Sequence, residues 1–116
     1  MTAQDCIFCK ITAGEIPATV VYKDELVTAI RDLHPVAPTH VLILSNKHVV
    51  SVNEATPQEE PLFGHLFTVA HKIADMEGLS AGGYRVVVNT GENGGQSVSH
   101  LHMHVLGGRA MTWPPG

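Results

Sequence analysis

The chain has 116 residues, of which 44% are hydrophobic and 16% are charged, and its formal net charge is -4. This length fits a single domain that can bury roughly two-thirds of its unfolded surface. The acidic balance disfavours bulk nucleic acid as a partner, because binding to a phosphate backbone requires a basic face. A mononucleotide is compatible with this charge, since backbone amides and helix ends can bind one phosphate.

The sequence has no features of a membrane or secreted protein. No apolar run approaches the roughly 20 residues that span a bilayer, and Met1 to Phe8 does not have the pattern of a secretory signal. The two cysteines, Cys6 and Cys9, are too few for a disulfide scaffold. We therefore expect a cytoplasmic protein without a membrane partner, formed by one domain over residues 1–116.

The first half of the chain predicts a short helix followed by three strands. Ile7, Phe8 and Ile11 have helical spacing, so the helix is predicted over Asp5–Ala13, before Gly14. The third strand is almost entirely apolar, which is typical of burial on both faces, and a loop with two prolines precedes it. The three predicted strands are Val20–Tyr22, Leu26–Arg31 and His40–Leu44.

The main helix is predicted over Leu62–Met76, where apolar residues recur three or four positions apart and form one stripe. The preceding segment Thr56–Glu59 resembles a capping box with proline at the first helical position. A helix that started there would have Pro61 in its interior, so regular helix is predicted from near Glu60 and ends before Gly78. Additional apolar residues outside the stripe predict a second buried surface, formed by Phe63, Phe67 and Ala70.

Two more strands are predicted after the main helix, over Tyr84–Asn89 and Val98–Leu106, with a glycine-rich loop between them. The fold class is therefore α+β. About five strands, mostly antiparallel, form a sheet that packs against the main helix, and a short helix lies near the amino terminus.

Three histidines alternate with aliphatic residues in the last predicted strand. Because successive side chains of a strand face opposite ways, His100, His102 and His104 are predicted to share one face while their neighbours face the core. The histidines could bind metal, act separately along a bound phosphate, or form a solvated polar face without chemistry. One tetrahedral ion, with bonds of about 2 Å, cannot gather all three, because they span roughly 13 Å.

The stretch His100–Leu106 matches the signature of the histidine triad family, in which histidine and an apolar residue alternate three times before another apolar residue. Nearly the whole chain resembles the nucleotide-binding, phosphoramidase branch of that superfamily. The other matching segments are Cys6–Ile11, Glu15–Ala18, Ala37–His40, Gly82–Asn89, Gly94–Val98 and Trp113–Gly116.

The resemblance implies a hydrolase that cleaves the P–N bond of purine nucleoside phosphoramidates, such as adenosine 5'-monophosphoramidate. His102 would attack the α-phosphate, expel an amine and form a covalent nucleotidyl-histidine that water resolves, with no catalytic cofactor. A neutral imidazole suits this role near pH 7. The backbone oxygen of His100 would hold the other ring nitrogen of His102, and His104 would bond a phosphoryl oxygen. Ser97 would bond the phosphate and help protonate the leaving nitrogen, and His40 resembles the family's buried relay histidine.

The nucleotide contacts are expected around the triad. The glycine-rich loop Thr90–Ser97 can approach a phosphate closely, although such a loop alone is typical of a flexible hairpin connection. Asp32 would bond the ribose hydroxyls, or only initiate the loop that follows its strand. The apolar residues would form the nucleoside slot, or only belong to the core. The residues implied in nucleotide binding are Ile7, Phe8, Ile11, Ile30, Asp32, Leu33, Leu42, Asn89, Gly95, Gln96, Ser97 and Val98.

Cys6 and Cys9 form a CxxC pair, which alone fits a redox pair, two inert thiols or half of a zinc site. Some branches and relatives in the superfamily complete such a pair with a histidine after a lysine and with the first triad histidine. The corresponding residues here are His48 and His100. The resemblance thus implies a structural Cys2His2 zinc site that leaves the other two triad histidines free for chemistry.

The family resemblance also implies a homodimer, in which a partner would cover the additional apolar surface of the main helix. A different class of function competes with the enzyme: a non-catalytic or slow nucleotide-binding module with a regulatory or interaction role. The intact triad favours the enzyme. In both cases the expected small-molecule partner is a purine mononucleotide or a nucleoside phosphoramidate.

Overall fold

The computed structural model describes residues 5–116. Two short 3-10 turns, Val52–Glu54 and Pro57–Glu59, precede the longer helix. Among the described residues, no helix has the length and apolar character needed to cross a membrane. The helices and strands are, in chain order, α1 (Ile7–Thr12), β1 (Val20–Lys23), β2 (Val27–Arg31), β3 (Thr39–Ser45), α2 (Glu60–Met76), β4 (Tyr84–Val87) and β5 (His102–Gly107).

The five strands form one sheet in the order β1-β2-β3-β5-β4, and all neighbouring pairs are antiparallel. In the centre of the sheet β5 pairs with β3, so that His102 lies opposite Leu44 and His104 opposite Leu42. The predicted α+β class is confirmed, with one antiparallel sheet, one main helix and a short amino-terminal helix.

The two faces of the sheet bury separate apolar clusters. Val41 and Ile43 of β3 pack with α2 residues in the larger cluster, whereas Leu42 and Leu44 pack with Phe8 of α1 in the smaller one. This division follows from the two-residue period of a strand. The prediction that the third strand is buried on both faces is confirmed. The smaller cluster lies on the face that carries the candidate site.

The first helix is shorter than the predicted Asp5–Ala13, because α1 spans Ile7–Thr12. Cys6 is its N-cap, and its sulfur accepts the N–H of Cys9 at 3.4 Å. The chain then turns at Gly14, whose φ of 80° favours glycine.

The turn between β1 and β2 is organised by Asp24. Its Oδ1 accepts the N–H groups of Leu26 at 2.8 Å and Val27 at 3.0 Å, so β2 begins at Val27 and not at the predicted Leu26. Its Oδ2 accepts hydrogen bonds from the Tyr22 hydroxyl at 2.7 Å and from Nε2 of His65 at 2.6 Å. His65 therefore links α2 to this turn.

The start of α2 confirms one prediction and corrects another. Regular helix begins at Glu60, and Pro61 lies in the first turn, where its missing N–H costs no helical hydrogen bond. Thr56 makes no side-chain cap, so the predicted capping box is wrong. The predicted second apolar surface is also reduced, because Ala70 is buried in the core and Phe63 packs against it. Phe67 alone of the three remains largely exposed, at 60%.

The last two strands are shorter than predicted, because β4 ends at Val87 and β5 begins at His102. Residues 98–101 leave the sheet. The N–H of His100 donates to the oxygen of Val98 at 2.8 Å, and that of Leu101 donates to the oxygen of Val49 at 2.6 Å. The first triad histidine therefore precedes the strand that carries the other two.

Candidate active site

A cleft of about 250 Å³ opens between α1 and the sheet. Its apolar wall comes from α1, β2 and β3, and its polar groups come from the triad and the loop before it. The lining residues are Ile7, Phe8, Ile11, Ile30, Arg31, Asp32, Leu33, His34, Leu42, Ser97, Val98, His102 and His104. All residues that sequence reasoning implied in nucleotide binding lie here, except Asn89, Gly95 and Gln96.

His102 lines this cleft in a defined tautomer. Its Nδ1 lies 2.7 Å from the backbone oxygen of His100. A carbonyl oxygen only accepts hydrogen bonds, so Nδ1 carries the proton and Nε2 keeps a free lone pair. Burial lowers the pKa of His102 and outweighs the opposing effects of that hydrogen bond and of the Asp32 charge. The ring is therefore neutral and nucleophilic at physiological pH.

His40 and His104 form a second hydrogen-bonded unit, of which His104 lines the cleft. The N–H of Val36 donates to Nδ1 of His40 at 3.2 Å, so a neutral His40 carries its proton on Nε2. This Nε2 lies 2.9 Å from Nδ1 of His104 and donates to it. The proton of neutral His104 is consequently on its own Nε2, ready to donate to an oxygen in the cleft.

The pKa shifts are consistent with neutral rings in this unit. Burial lowers the pKa of His40 despite the nearby Asp32 charge. Burial, with smaller contributions from His102 and His40, lowers the pKa of His104 to about 4. At neutral pH the unit is thus a chain of hydrogen bonds without a net charge on its imidazoles.

Asp32 lies just after β2, at the rim of the cleft. Its Oδ1 accepts the N–H of His34 at 2.8 Å, and its Oδ2 lies 3.4 Å from Nε2 of His40. The carboxylate therefore initiates its loop, as one of the two sequence interpretations expects, and it also lines the cleft.

The loop before the triad is held in place by its own amides. Nε2 of Gln96 donates to the oxygens of Val50 at 2.7 Å and Val98 at 2.9 Å, and its Oε1 accepts the N–H of Gly91. Nδ2 of Asn89 donates to the oxygen of Gly94 at 2.7 Å. These amides support the loop that carries Ser97 and do not line the cleft. Gly95 has a φ of 76°, which suits glycine and indicates a backbone role.

Cys6, Cys9, His48 and His100 form a compact cluster beside the cleft, which we call the Cys2His2 cluster; its four ligand atoms lie within 4.8 Å of one another. The sulfur of Cys6 is 3.2 Å from Nδ1 of His100, and that of Cys9 is 3.1 Å from Nδ1 of His48. Tetrahedral zinc would hold such sulfur and nitrogen atoms about 3.6 Å apart. The donor set and its size therefore fit zinc.

The tautomer of His100 also fits a metal ligand. Its Nε2 lies 2.6 Å from the backbone oxygen of Ser45 and must donate to it, which leaves Nδ1 bare and directed at the sulfurs. Burial and the neighbouring Cys6 raise the pKa of Cys9 to about 11, so this thiol is protonated without metal. A bound zinc ion would remove that proton, because coordinating thiols are deprotonated.

Asp32, His40 and His104 make a second group with closely spaced potential ligand atoms. Its hydrogen bonds oppose metal binding. A metal on Nε2 of His40 would force the proton of that neutral ring onto Nδ1, where the Val36 N–H already donates. Two donors would then face each other, so this group is suited to relay protons and not to bind metal.

Together, the antiparallel sheet, a neutral buried histidine with a free ring nitrogen and an apolar cleft are the features of proteins that place a histidine beside a small-molecule site. Comparison with known proteins identifies the family. A family model described as the HIT domain matches residues 13–111. The chain belongs to the histidine triad (HIT) family.

Individual relatives match this chain over most of their own length. The chain is 50% identical over 109 residues to the purine nucleoside phosphoramidase of Escherichia coli K12, and this alignment covers 94% of this chain and 92% of that protein. It is 51% identical to a HIT family hydrolase from Legionella pneumophila, with a TM-score of 0.95, and the match covers 97% of this chain and 100% of that chain. A zinc-bound histidine triad protein from Mycobacterium smegmatis is 28% identical, with a TM-score of 0.81, and the match covers 93% of this chain and 78% of that chain.

Sequence reasoning missed several groups that shape this site. Arg31 and His34 line the cleft, and their positions beside Asp32 and Leu33 could have indicated this. The backbone groups of Val36 and Ser45, which set the tautomers of His40 and His100, have no signal in the sequence.

Proposed function

We propose that this protein is a hydrolase that cleaves purine nucleoside phosphoramidates through a covalent nucleotidyl-histidine. The observation that carries the proposal is the 2.7 Å contact between Nδ1 of His102 and the His100 oxygen, which leaves Nε2 as a free nucleophile in the cleft. The similarity to the Escherichia coli purine nucleoside phosphoramidase supports the substrate class.

In the first step, the lone pair on Nε2 of His102 attacks the α-phosphorus and forms a P–N bond to the ring. The substrate P–N bond breaks, and the amine leaves with its electron pair and takes up a proton. Ser97, which lines the same cleft, is the proposed donor to the departing nitrogen. Nδ1 of His102 keeps its proton, which it donates in a hydrogen bond to the His100 oxygen. The imidazole attached to phosphorus is therefore a cation and a good leaving group.

In the second step, water attacks the phosphorus and the bond to His102 breaks. The ring returns to its neutral form, and one of the two protons that the water releases restores the Ser97 hydroxyl. The other proton reaches the solvent, from which the released ammonia takes up one, so the products are a nucleoside monophosphate and an ammonium ion. In both steps Nε2–H of His104 would donate to a phosphoryl oxygen as negative charge develops there. His40 would keep His104 in the donating tautomer. No catalytic cofactor enters this scheme.

The nucleoside would occupy the apolar part of the cleft, between α1 and the strands β2 and β3. Asp32 would accept hydrogen bonds from the ribose hydroxyls. Loop Thr90–Ser97 would place Ser97 and Val98 beside the phosphate, and Asn89, Gly95 and Gln96 would support that loop.

We also propose a structural zinc ion held by the Cys2His2 cluster. Four ligands would close its coordination sphere, so it would supply stability and no open position for substrate. The bare Nδ1 of His100 and its short distance to Cys6 support this assignment.

Residues 1–116 are proposed to form one cytoplasmic domain that pairs as a homodimer. Within the described part of the chain β4 pairs only with β5, so the β4 edge of the sheet is open, and Phe67 is 60% exposed on α2. Light scattering tests the dimer: we expect a dimeric wild type and a shift towards monomer in Phe67→Asp. A monomeric wild type would contradict the dimer.

The catalytic proposal is tested by hydrolysis of adenosine 5'-phosphoramidate, with the rapidly quenched protein mapped for a nucleotidyl adduct. We expect turnover and an adduct in the wild type, and neither in His102→Ala. His71→Ala is a matched control, because His71 lies on the exposed face of α2 with its side chain 69% accessible. Equal activity in His102→Ala would refute the nucleophile. Binding of AMP without turnover would favour a nucleotide-binding module.

A further inference from the structure

His100 belongs to both the Cys2His2 cluster and the active site. Its Nδ1 lies 3.2 Å from the sulfur of Cys6, and its backbone oxygen lies 2.7 Å from Nδ1 of His102. The side chain is fully buried, and Ser45 holds its other ring nitrogen. The contacts that hold the His100 ring therefore also restrain the backbone oxygen that orients His102.

The helix α1 connects the same two sites. Cys6 caps it and Cys9 lies within it, while Phe8 and Ile11 on the same short segment line the cleft. A helix of six residues is too short to be stable by itself, so its contacts determine its position. Phe8 also packs edge-on against His100 and His102, with ring centroids 5.8 Å and 5.0 Å apart.

We propose that Cys6 and Cys9 are positioning residues of the active site, and that metal binding and nucleotide binding are coupled. A zinc-class ion on the Cys2His2 cluster would fix α1 and His100 in the placement that the nucleotide also requires. Each ligand then raises the affinity for the other. This inference rests on the proposed nucleotide site and extends it, because it gives the metal a role beyond stability.

The coupling has a thermodynamic signature that a purely structural metal lacks. If zinc raises nucleotide affinity by some factor, nucleotide must raise zinc affinity by the same factor. Coupling between sites is typically about 5-fold to 150-fold, and the shared residue and shared helix lead us to expect about tenfold. A metal that only stabilised the fold would raise the melting temperature and leave the affinity of the folded protein for nucleotide unchanged.

The test uses the full chain with AMP as the probe. Calorimetry gives the AMP affinity of the zinc-loaded protein, desalted to remove free metal, and of the same protein after chelation. Competition with a chromophoric chelator gives the zinc affinity with and without saturating AMP. We expect both affinities to rise by the same factor. Equal AMP affinity in the two metal states would overturn the coupling, as would failure to bind zinc.

His48→Ala provides the matched variant. His48 contacts Cys9 and is absent from the lining of the cleft, so this change weakens metal binding without altering the cleft wall. We expect its AMP affinity to equal that of metal-free wild type and not to respond to zinc. A response like that of the wild type would overturn the coupling. If neither the zinc-loaded nor the metal-free protein binds AMP, the proposed function itself fails. That result differs from equal AMP affinity in the two metal states, which refutes only the coupling.

Discussion

Two histidine clusters lie beside His102, the proposed nucleophile, and they differ in the backbone group that contacts one ring nitrogen: a carbonyl at His100 and an amide at His40. In the Cys2His2 cluster, a carbonyl of Ser45 accepts from Nε2 of His100, so Nδ1 is bare and faces two sulfurs. In the second cluster, the N–H of Val36 donates to Nδ1 of His40, so the proton of the neutral His40 ring lies on Nε2 and is donated in a hydrogen bond to Nδ1 of His104. The carbonyl contact thus leaves a bare ring nitrogen, as the proposed metal ligand requires, whereas the amide contact fixes a ring N–H, as the proposed hydrogen-bond donor requires.

The nucleophile follows the same principle. The His100 oxygen takes the proton on Nδ1 of His102 and frees Nε2. Three neighbouring imidazoles along one chain segment therefore differ in proposed role because their ring nitrogens have different partners. Backbone carbonyls contact His100 and His102, whereas His104 is contacted by the His40 ring, which the Val36 amide orients. Residue type alone does not distinguish a metal ligand, a nucleophile and a donor.

The largest expected effect concerns metal. The wild type should bind one equivalent of zinc, and the double variant Cys6→Ser, Cys9→Ser should lose affinity by on the order of a thousandfold or more, because both thiolates are removed. Competition with a chromophoric chelator measures this. If the double variant keeps one tight equivalent, the cluster around His40 and His104 binds metal and the contrast between the clusters is wrong.

A second effect concerns the donor. His104→Ala should lower kcat for adenosine 5'-phosphoramidate by about 100-fold to 1000-fold, since loss of one donor to a developing oxyanion has that cost. Zinc stoichiometry should remain at one, because His104 lies outside the Cys2His2 cluster. Steady-state kinetics with His71→Ala as control checks the first expectation. A kcat within threefold of wild type (about 0.7 kcal/mol) would contradict the role of His104.

The pH dependence of stability provides a third test. The pKa of His104 is lowered to about 4 in the folded protein, whereas a histidine in the unfolded chain titrates near 6.5. Between these values the unfolded chain binds a proton that the folded protein does not, so stability falls as pH falls. From pH 7 to pH 5 this contributes a loss of about 2 kcal/mol. Urea denaturation should show a shallower pH dependence in His104→Ala, and an equal dependence would contradict the buried neutral ring.

The smallest effect is expected from a single backbone hydrogen bond. Val36→Pro removes the N–H that donates to Nδ1 of His40, while Val36→Ala retains it, and the Val36 side chain is 61% exposed. The proline variant should lose about fivefold in kcat, close to the 1 kcal/mol typical of one hydrogen bond, and the alanine variant should match wild type. Thermal unfolding confirms that both are folded. Equal rates would show that the amide does not set the tautomer.

The sequence predicts the fold well where a residue pattern determines the structure. The apolar run of β3 and the stripe on α2 identify their elements, and Pro61 identifies the start of α2. The alternation around the triad wrongly extends β5 back to Val98, because the pattern cannot reveal that Leu101 donates to the oxygen of Val49.

For the site, the sequence locates the side chains but not their protons. Chemistry-bearing residues such as Asp32 and His102 are recognisable by type and position. Long-range backbone contacts assign the tautomers, and any residue at position 36 other than proline could supply that amide. Likewise, Gln96 has the chemistry of a ligand contact, and its hydrogen bonds to the oxygens of Val50 and Val98, which support the loop, cannot be read from the sequence.

The most direct test of this assignment of roles is long-range proton–nitrogen NMR of the histidine side chains at neutral pH. We predict a proton on Nδ1 of His102 and protons on Nε2 of His40, His100 and His104. A proton on Nε2 of His102, or on Nδ1 of His40, would contradict the assignment of roles by backbone contacts.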